Sequence, residues 1–152
     1  MKFREATLED LPVLEELEQA VVEAERPYNA TIRDGRPRYY DIADLISSDR
    51  SCLLVAEDTE AAGIVATGYA QLRTSKKSLK HDFHSYLGFM YVSPGYRGQG
   101  VNQQIVDRLT RWSVGQGADY LYLDVYSANE SAIKAYEKAG FTSSIVEMKR
   151  KL

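Results

Sequence analysis

The fold of this chain follows from the stretch MYVSPGYRGQGVN, residues 90–102. An apolar run ends there, Pro94 and Gly95 predict a turn, and two alternate glycines, Gly98 and Gly100, precede the start of a helix. Glycine lets the backbone approach a ligand closely, and the free N–H groups and positive dipole of a helix N-terminus favour an anion. The stretch therefore predicts a strand, loop and helix that can hold a phosphate.

The helix after the loop is indicated by an apolar stripe. Val101, Ile105, Leu109 and Trp112 recur at helical spacing, which gives the helix one apolar face, and Gly115 ends it.

A second motif follows at LYLDVYSANESAIKAYEKAGF, residues 121–141. Alternating apolar residues predict a strand over 120–126, and a helical pattern covers 129–139 until Gly140 ends it. Strand, helix, strand and helix in this order predict a parallel strand pair joined by a right-handed crossover.

The rest of the chain supplies shorter elements. Residues 26–40 are irregular, and the basic run 73–84 is interpreted as a solvated hairpin tip. The further elements predicted are strands over 3–6, 51–57, 63–72 and 86–92, helices after Thr7 and over 41–47, and one or two closing strands over 141–149.

Length and composition fit one domain, residues 1–152. With 44% hydrophobic residues the chain can bury a core without metals or disulfides. A net charge of -3 and a pI near 5.5 lack the basic footprint of a general nucleic-acid binder, so we expect no nucleic acid as a partner. The single cysteine, Cys52, is expected to be a small buried residue rather than a reactive thiol.

Membrane and export signals are not recognised in the sequence. No window approaches the roughly 20 apolar residues that span a bilayer, and residues 1–6 are not followed by the apolar region of a secretion signal. We therefore expect a cytoplasmic protein with no membrane partner, and we predict no metal site.

Taken alone, the two loop glycines also suit a turn that only satisfies chain geometry. Together with the second motif, in this order and separation, the loop resembles the Arg/Gln-x-x-Gly-x-Gly/Ala signature of the GCN5-related N-acetyltransferase (GNAT) family, which binds the pyrophosphate of coenzyme A. The resemblance is specific over residues 86–141 and looser elsewhere. It implies an α/β (α+β) fold: a central mixed, mostly antiparallel sheet with a splayed parallel strand pair and flanking helices.

The resemblance also implies an activity. An N-acetyltransferase of this family would transfer an acetyl group from acetyl-CoA to a primary amine of a small molecule or peptide, by direct attack in a ternary complex. Acetyl-pantetheine enters the gap between the splayed strands in such enzymes. The residues that the resemblance assigns to acetyl-CoA are Met90, Tyr91, Val92, Arg97, Gly98, Gln99, Gly100, Val101, Asn102, Asn129, Ala132 and Tyr136.

Two of these residues receive catalytic roles from the resemblance. The Met90 N–H would bond the thioester carbonyl, where one preorganised donor is worth roughly 3 kcal/mol, and Tyr136 would protonate the departing thiolate. The Val92 main chain would bond pantetheine, and Gly88 is predicted to mark the β-bulge that opens the gap.

Other readings of these residues stay open. Tyr136 suits a core tyrosine on one stripe with Ala132, and Asn129 suits a helix N-cap, for which Ser127 with Glu130 is a rival capping box.

The loop departs from the family pattern at its last position, where Asn102 stands for Gly or Ala. Its N–H can still donate to phosphate, but its Cβ and amide group crowd the approach, which puts the affinity in doubt. The side chains of Arg97 and Gln99 either touch phosphate or remain solvated.

The general base and the acceptor are not identified by sequence. Family members often carry Glu on the strand that here spans 86–90, which has no carboxylate, so Asp124, Tyr86, His84 or a water chain remain as proton acceptors. The resemblance implies that acceptor choice is set mainly by residues 26–40 and 73–85.

Charged and aromatic side chains near these segments have two interpretations each. The first set suits an amino-acid-like or peptide acceptor, or is a solvated loop: Arg33, Arg36, Arg38, Tyr28, Tyr39 and Tyr40. The second set consists of acidic residues of the first helix, which either attract cationic amines or only form its solvent-exposed face: Glu15, Glu16, Glu18 and Glu23.

Three hypotheses of function result. The first is an active acyltransferase, and the second is a non-catalytic acyl-CoA-binding module of the same fold. The third, a phosphate-binding protein of another fold, requires the downstream positions of Asn129 and Tyr136 to be accidental. Sheet edges in this fold often pair, which favours a homodimer.

Overall fold

The computed structural model describes residues 1–152. Three short 3-10 turns occur at Leu8–Asp10, Arg26–Tyr28 and Pro94–Tyr96. The main elements in chain order are β1 (Lys2–Glu5), α1 (Leu11–Glu25), α2 (Ile42–Ser47), β2 (Ser51–Asp58), β3 (Gly63–Thr74), β4 (Phe83–Val92), α3 (Val101–Gly115), β5 (Leu121–Tyr122) and α4 (Glu130–Lys138).

One five-stranded sheet runs in the order β1-β2-β3-β4-β5. The first three pairings are antiparallel, and β4 pairs with β5 in parallel, which confirms the predicted mixed sheet. The parallel ladder ends at the pair Tyr86 and Tyr122, although β4 continues to Val92. The two strands therefore part, and a gap opens beside the second half of β4.

Helices cover both faces of the sheet, and the interior strand β2 is accordingly apolar at successive positions. Cys52 and Leu54 face the cluster that holds Ile105 and Leu109 of α3. Leu53 and Val55 face the opposite cluster, which holds Leu14, Val21, Ile42 and Leu45 of α1 and α2. Burial of one Leu or Ile side chain contributes about 2 kcal/mol to the stability of the fold. The apolar contacts with helices on both sides therefore hold the sheet in place. Burial also raises the pKa of the Cys52 thiol to about 12.

At the end of the chain one prediction is confirmed only in part and another is wrong. The strand predicted over 120–126 is paired only at Leu121 and Tyr122, because β4 diverges beyond them and no strand lies on the other side of β5. The strands predicted over 141–149 do not close the sheet. Phe141 packs against Tyr136, with ring centroids 5.8 Å apart, and residues 142–152 are exposed and in no strand.

The basic run between β3 and β4 is only partly the solvated tip that was predicted. Lys76 and its neighbouring lysines are exposed. Ser75, however, is buried, and its Oγ lies 2.7 Å from His81 Nδ1 and 2.8 Å from His84 Nδ1.

None of the helices has the length and apolar character needed to span a membrane.

Candidate active site

The glycine-rich loop joins the end of β4 to the start of α3, as predicted. Gly98 and Gly100 have φ of 73° and 77°, a left-handed conformation that favours glycine. Six consecutive backbone N–H groups, from Gly98 to Gln103, have no acceptor within the protein. They lie at the positive end of the α3 dipole, so the loop can hold an anion such as a phosphate.

Side chains of the loop brace it from within. Arg97 Nε donates to the Val92 carbonyl at 2.9 Å, and Gln99 Nε2 donates to the Gly95 carbonyl at 3.1 Å. These bonds fix the loop against the end of β4. The Arg97 guanidinium also lies 5.7 Å from the centre of the Tyr91 ring.

A β-bulge interrupts β4 beside the loop. Thr67 pairs with Tyr91 and Tyr69 pairs with Gly88, so Phe89 and Met90 together oppose the single residue Gly68. Phe89 has φ of 54°, a strained conformation for a residue other than glycine. It is buried and stacks on Tyr40, with centroids 4.6 Å apart. Packing therefore holds the bulge in place.

The predicted bulge exists, but Gly88 does not supply its conformation. Gly88 is needed because a Cβ there would lie 2.3 Å from Tyr69 Oη. Across the ladder, a Cβ at Gly68 would lie 2.5 Å from Met90 Sδ, so Gly68 makes room for the Met90 side chain. Sequence analysis missed Gly68, whose only signal was a glycine inside a strand.

Tyr136 of α4 packs against the same apolar cluster as Met90 and Val92. Burial raises the pKa of Tyr136, and the nearby Asn102 side chain partly opposes that rise. The loop residue that departs from the family signature therefore lies beside the candidate acid.

Asn129 is the N-cap of α4. Its Oδ1 accepts from the Ala132 N–H at 3.3 Å, so Asn129 rather than Ser127 caps this helix. The Ala132 N–H is used by the cap, and the Asn129 amide nitrogen stays available.

A tyrosine and a carboxylate face each other where the gap opens. Tyr86 Oη donates to Asp124 Oδ2 at 2.8 Å, and the Arg73 guanidinium lies 3.8 Å from the centre of the Tyr86 ring. Burial and the bond to Asp124 raise the pKa of Tyr86, so its hydroxyl stays protonated. His84, the third residue considered as a base, is instead bonded to Ser75.

The segment after α1 is anchored by a buried carboxylate. Glu18 is fully buried and accepts from Arg38 Nε at 2.8 Å and from the N–H groups of Tyr39 and Tyr40 at 3.0 and 2.8 Å. The interpretation of Glu18 as part of a wet helix face is therefore wrong. Arg36 is also paired, with Glu16 at 2.7 Å.

These ion pairs change which residues are available to bind the acceptor substrate. Arg36 and Arg38 are neutralised by α1, so they do not form the free carboxylate-binding patch that was considered. Beside them lies an open cavity of about 130 Å³ that sequence analysis missed. It is lined by Tyr39, Tyr40, Asp41, Asp44, Leu45, Tyr69, Gln71 and Arg73.

Sheet, gap, loop and flanking helices together define an acyltransferase-like fold. Residues 15–141 match the family described as the acetyltransferase (GNAT) family, so the chain belongs to that family.

Individual relatives agree with this assignment. Streptothricin acetyltransferase of Streptomyces lavendulae is 27% identical over 95 residues, 62% of this chain and 46% of the relative. The chain spans less than half the length of the curated relatives it matches. A mutant of the BH1408 protein of Bacillus halodurans has a TM-score of 0.88 at 22% identity, covering 100% of this chain and 99% of its own.

A third relative was solved with acetyl-CoA. This predicted acetyltransferase of Clostridium acetobutylicum has a TM-score of 0.74 at 18% identity, and the likeness covers 99% of this chain and 95% of the other. At these identities the solved structures establish the fold alone.

Proposed function

We propose that this protein is an acetyl-CoA-dependent N-acetyltransferase that acts on a primary amine of a small molecule or peptide by direct attack in a ternary complex. The observation that carries the proposal is the row of six free N–H groups from Gly98 to Gln103, next to the gap between β4 and β5. A cytoplasmic location and a homodimer belong to the same proposal.

The acetyl-CoA contacts are divided among three parts of the site. The loop residues 97–102 would hold the pyrophosphate, mainly through main-chain N–H groups. The unpaired edge of β4 at Met90, Tyr91 and Val92 would bond the pantetheine arm, since these residues have no partner on β5. Asn129 and Ala132 would border the arm from the start of α4.

The reaction requires two proton movements. The amine nitrogen attacks the thioester carbon, the N–C bond forms, and the Met90 N–H donates to the oxygen that gains negative charge. When the C–S bond breaks, the Tyr136 hydroxyl gives a proton to the thiolate sulfur. Because its pKa is raised, Tyr136 carries that proton at all physiological pH values.

Asp124 is proposed to receive the proton that leaves the amine. A carboxylate is too weak a base to deprotonate a free alkylammonium fully, but the nitrogen becomes much more acidic as the N–C bond forms. Tyr86 would orient Asp124 through the 2.8 Å hydrogen bond, which leaves Asp124 Oδ1 for the acceptor.

The cavity beside α2 supports a cationic, small acceptor. Asp41 and Asp44 line it together with three tyrosine rings, and Tyr69 and Arg73 connect it to Tyr86. The likeness to a streptothricin acetyltransferase also supports a small-molecule amine.

The non-catalytic acyl-CoA-binding module is the second candidate. It is favoured by the absence of a carboxylate on β4.

Acetyl-CoA, a panel of primary amines and a free-thiol assay separate the two candidates. Thiol release that depends on the amine and falls in Tyr136→Phe supports the enzyme. Binding of acetyl-CoA by calorimetry with no turnover on any amine supports the module, and no binding contradicts both.

A further inference from the structure

Arg73, near the end of β3, is held in place by three contacts with its neighbours. Its Nε donates to Gln71 Oε1 at 3.0 Å, and its Nη2 donates to Tyr69 Oη at 3.3 Å. Its Cζ lies 3.8 Å from the centre of the Tyr86 ring, which is within the range of a cation–π contact. A long and flexible side chain is thereby oriented before any ligand binds.

The positive charge of Arg73 has no counter-ion in the protein. The ion pairs of the structure involve four other arginines, namely Arg4, Arg26, Arg36 and Arg38. A guanidinium has about five N–H groups to donate, and the bonds to Gln71 and Tyr69 leave both N–H groups of Nη1 without an acceptor. Since Arg73 is exposed, these groups are accessible to an anion.

The same arginine lies close to the groups proposed for the reaction. Arg73 lines the open cavity beside α2 and also borders the ring of Tyr86. The hydroxyl of that ring donates to Asp124 Oδ2 at 2.8 Å. One tyrosine ring therefore separates a free cation from the carboxylate proposed to receive the amine proton. An acceptor whose amine lies at Asp124 can reach Arg73 with a group only a few bonds from its nitrogen.

We propose that Arg73 binds a carboxylate of the acceptor substrate, so that the preferred acceptor is a free amino acid or a similar small amine that carries a carboxylate. Hydrogen bonds between a guanidinium and a carboxylate are short and strong because both groups are charged. The contacts that already orient Arg73 lower the entropic cost of forming them. This inference rests on the acetyltransferase proposed above and narrows its acceptor from any primary amine to one class.

The other charges of the cavity favour a carboxylate over a phosphate. Asp41 and Asp44 line the same cavity, and neither forms an ion pair with Arg73. Their negative charges attract the ammonium group of an amino acid, but they oppose a phosphate group, which carries about two negative charges at neutral pH. A small zwitterion also fits better than a polyamine, because a polyamine leaves Arg73 without a partner.

Matched substrates test the carboxylate. A panel of amino acids and of the corresponding amino acid amides is offered with acetyl-CoA, and thiol release gives kcat and KM for each. The amine of an amide is less basic and is less protonated at neutral pH, so chemical reactivity alone favours the amide. We expect kcat/KM of the preferred amino acid to exceed that of its amide by about tenfold or more. Equal values, or a preference for the amides, overturn the inference and leave the proposed activity intact.

Arg73→Gln tests the residue itself. This change should raise KM for the preferred amino acid about tenfold or more, and it should bring kcat/KM close to that of the amide. Lys77→Gln is the control, because it removes one exposed positive charge from the connection that follows β3 and should preserve the preference. An equal loss on both substrates in Arg73→Gln would show that Arg73 only supports the position of Tyr86, and would overturn the inference.

Equilibrium binding separates this inference from the proposed activity. The protein saturated with coenzyme A is titrated with the amino acids of the panel and followed by NMR. At least one of them should bind, and Arg73→Gln should weaken that binding about tenfold or more. Binding that depends on Arg73 without any turnover would support the inference and contradict the acetyltransferase. Turnover of amines without such binding would support the enzyme and overturn the role of Arg73.

Discussion

The hydroxyl of Tyr86 donates a hydrogen bond of 2.8 Å to Asp124 across two strands that diverge at that point. Tyr86 is the last residue of β4 in the parallel ladder, and Asp124 lies two residues beyond its partner Tyr122. The bond therefore spans the mouth of the gap and presents a carboxylate there, although β4 itself carries none.

Replacing the Asp124 carboxylate should slow the reaction without weakening the binding of acetyl-CoA. Asp124→Asn keeps the size of the side chain but removes its ability to take a proton, so we expect kcat to fall about 100-fold or more. Binding of acetyl-CoA should change less than twofold. Steady-state kinetics and calorimetry give the two values.

Asp119→Asn is the matched control, because Asp119 is also exposed and precedes β5. Its kinetics should equal those of the wild type. Wild-type turnover in Asp124→Asn would remove Asp124 from the mechanism.

Tyr86→Phe removes only the bond that orients Asp124. Loss of one hydrogen bond to a charged group costs about 1.5 kcal/mol, so kcat should fall about tenfold, less than in Asp124→Asn. The two changes act on one unit, so the double variant should be no slower than Asp124→Asn. Additive losses would show that Tyr86 acts independently of Asp124.

The glycine-rich loop and α3 were predictable because their signals are local. Pro94, the alternate glycines and the apolar stripe each act within a few residues, and the structure has them in the expected places. The short extent of β5 was not predictable, since a strand exists only where a partner runs beside it.

Contacts between distant elements also escaped prediction. Glu18 is buried because residues 38–40 return to α1 and donate to it, which periodicity along α1 cannot indicate. Asn102 of α3 likewise lies near Tyr136 of α4 and affects its pKa. Sequence identified both residues but not their partnership.

Asn102→Gly tests the departure from the family signature. Removing Cβ and the amide should relieve crowding at the loop, so the Kd for coenzyme A should fall. The change also removes the side chain that holds the pKa of Tyr136 down, so Tyr136 should become a weaker acid and kcat should fall at the same time. Asn102→Ala keeps Cβ and separates the two effects. An unchanged Kd in both variants would show that the side chain is neutral for binding.

The pH dependence of Tyr136 follows from the direction of its pKa shift. A phenol ordinarily titrates near 10, and burial raises the pKa of Tyr136 above that value, so the proton is present below pH 10 and is lost only above it. The kcat profile with a reactive amine should therefore show no decline assignable to Tyr136 up to pH 10. Tyr136→Phe should lower kcat about 100-fold at every pH. A wild-type decline near pH 9 that is absent in Tyr136→Phe would contradict the raised pKa.

Gly88→Ala should destabilise the fold through Tyr69. The new Cβ would lie 2.3 Å from Tyr69 Oη and 2.4 Å from Cζ, so the ring must move from its place beside Tyr40. Overpacking of this kind costs about 1–3 kcal/mol, measured as the free energy of unfolding in urea. Gly63→Ala is the control, since a Cβ there meets nothing within 4 Å.

A double-mutant cycle assigns that cost to the ring. A Tyr69→Ala background removes the three atoms nearest to the new Cβ, so the effect of Gly88→Ala should fall below about 0.5 kcal/mol. A cost that persists in this background would place the strain in the backbone of the bulge instead. Because Tyr69 lines the cavity proposed for the acceptor, Gly88→Ala should also raise KM for the amine while leaving the Kd for coenzyme A unchanged.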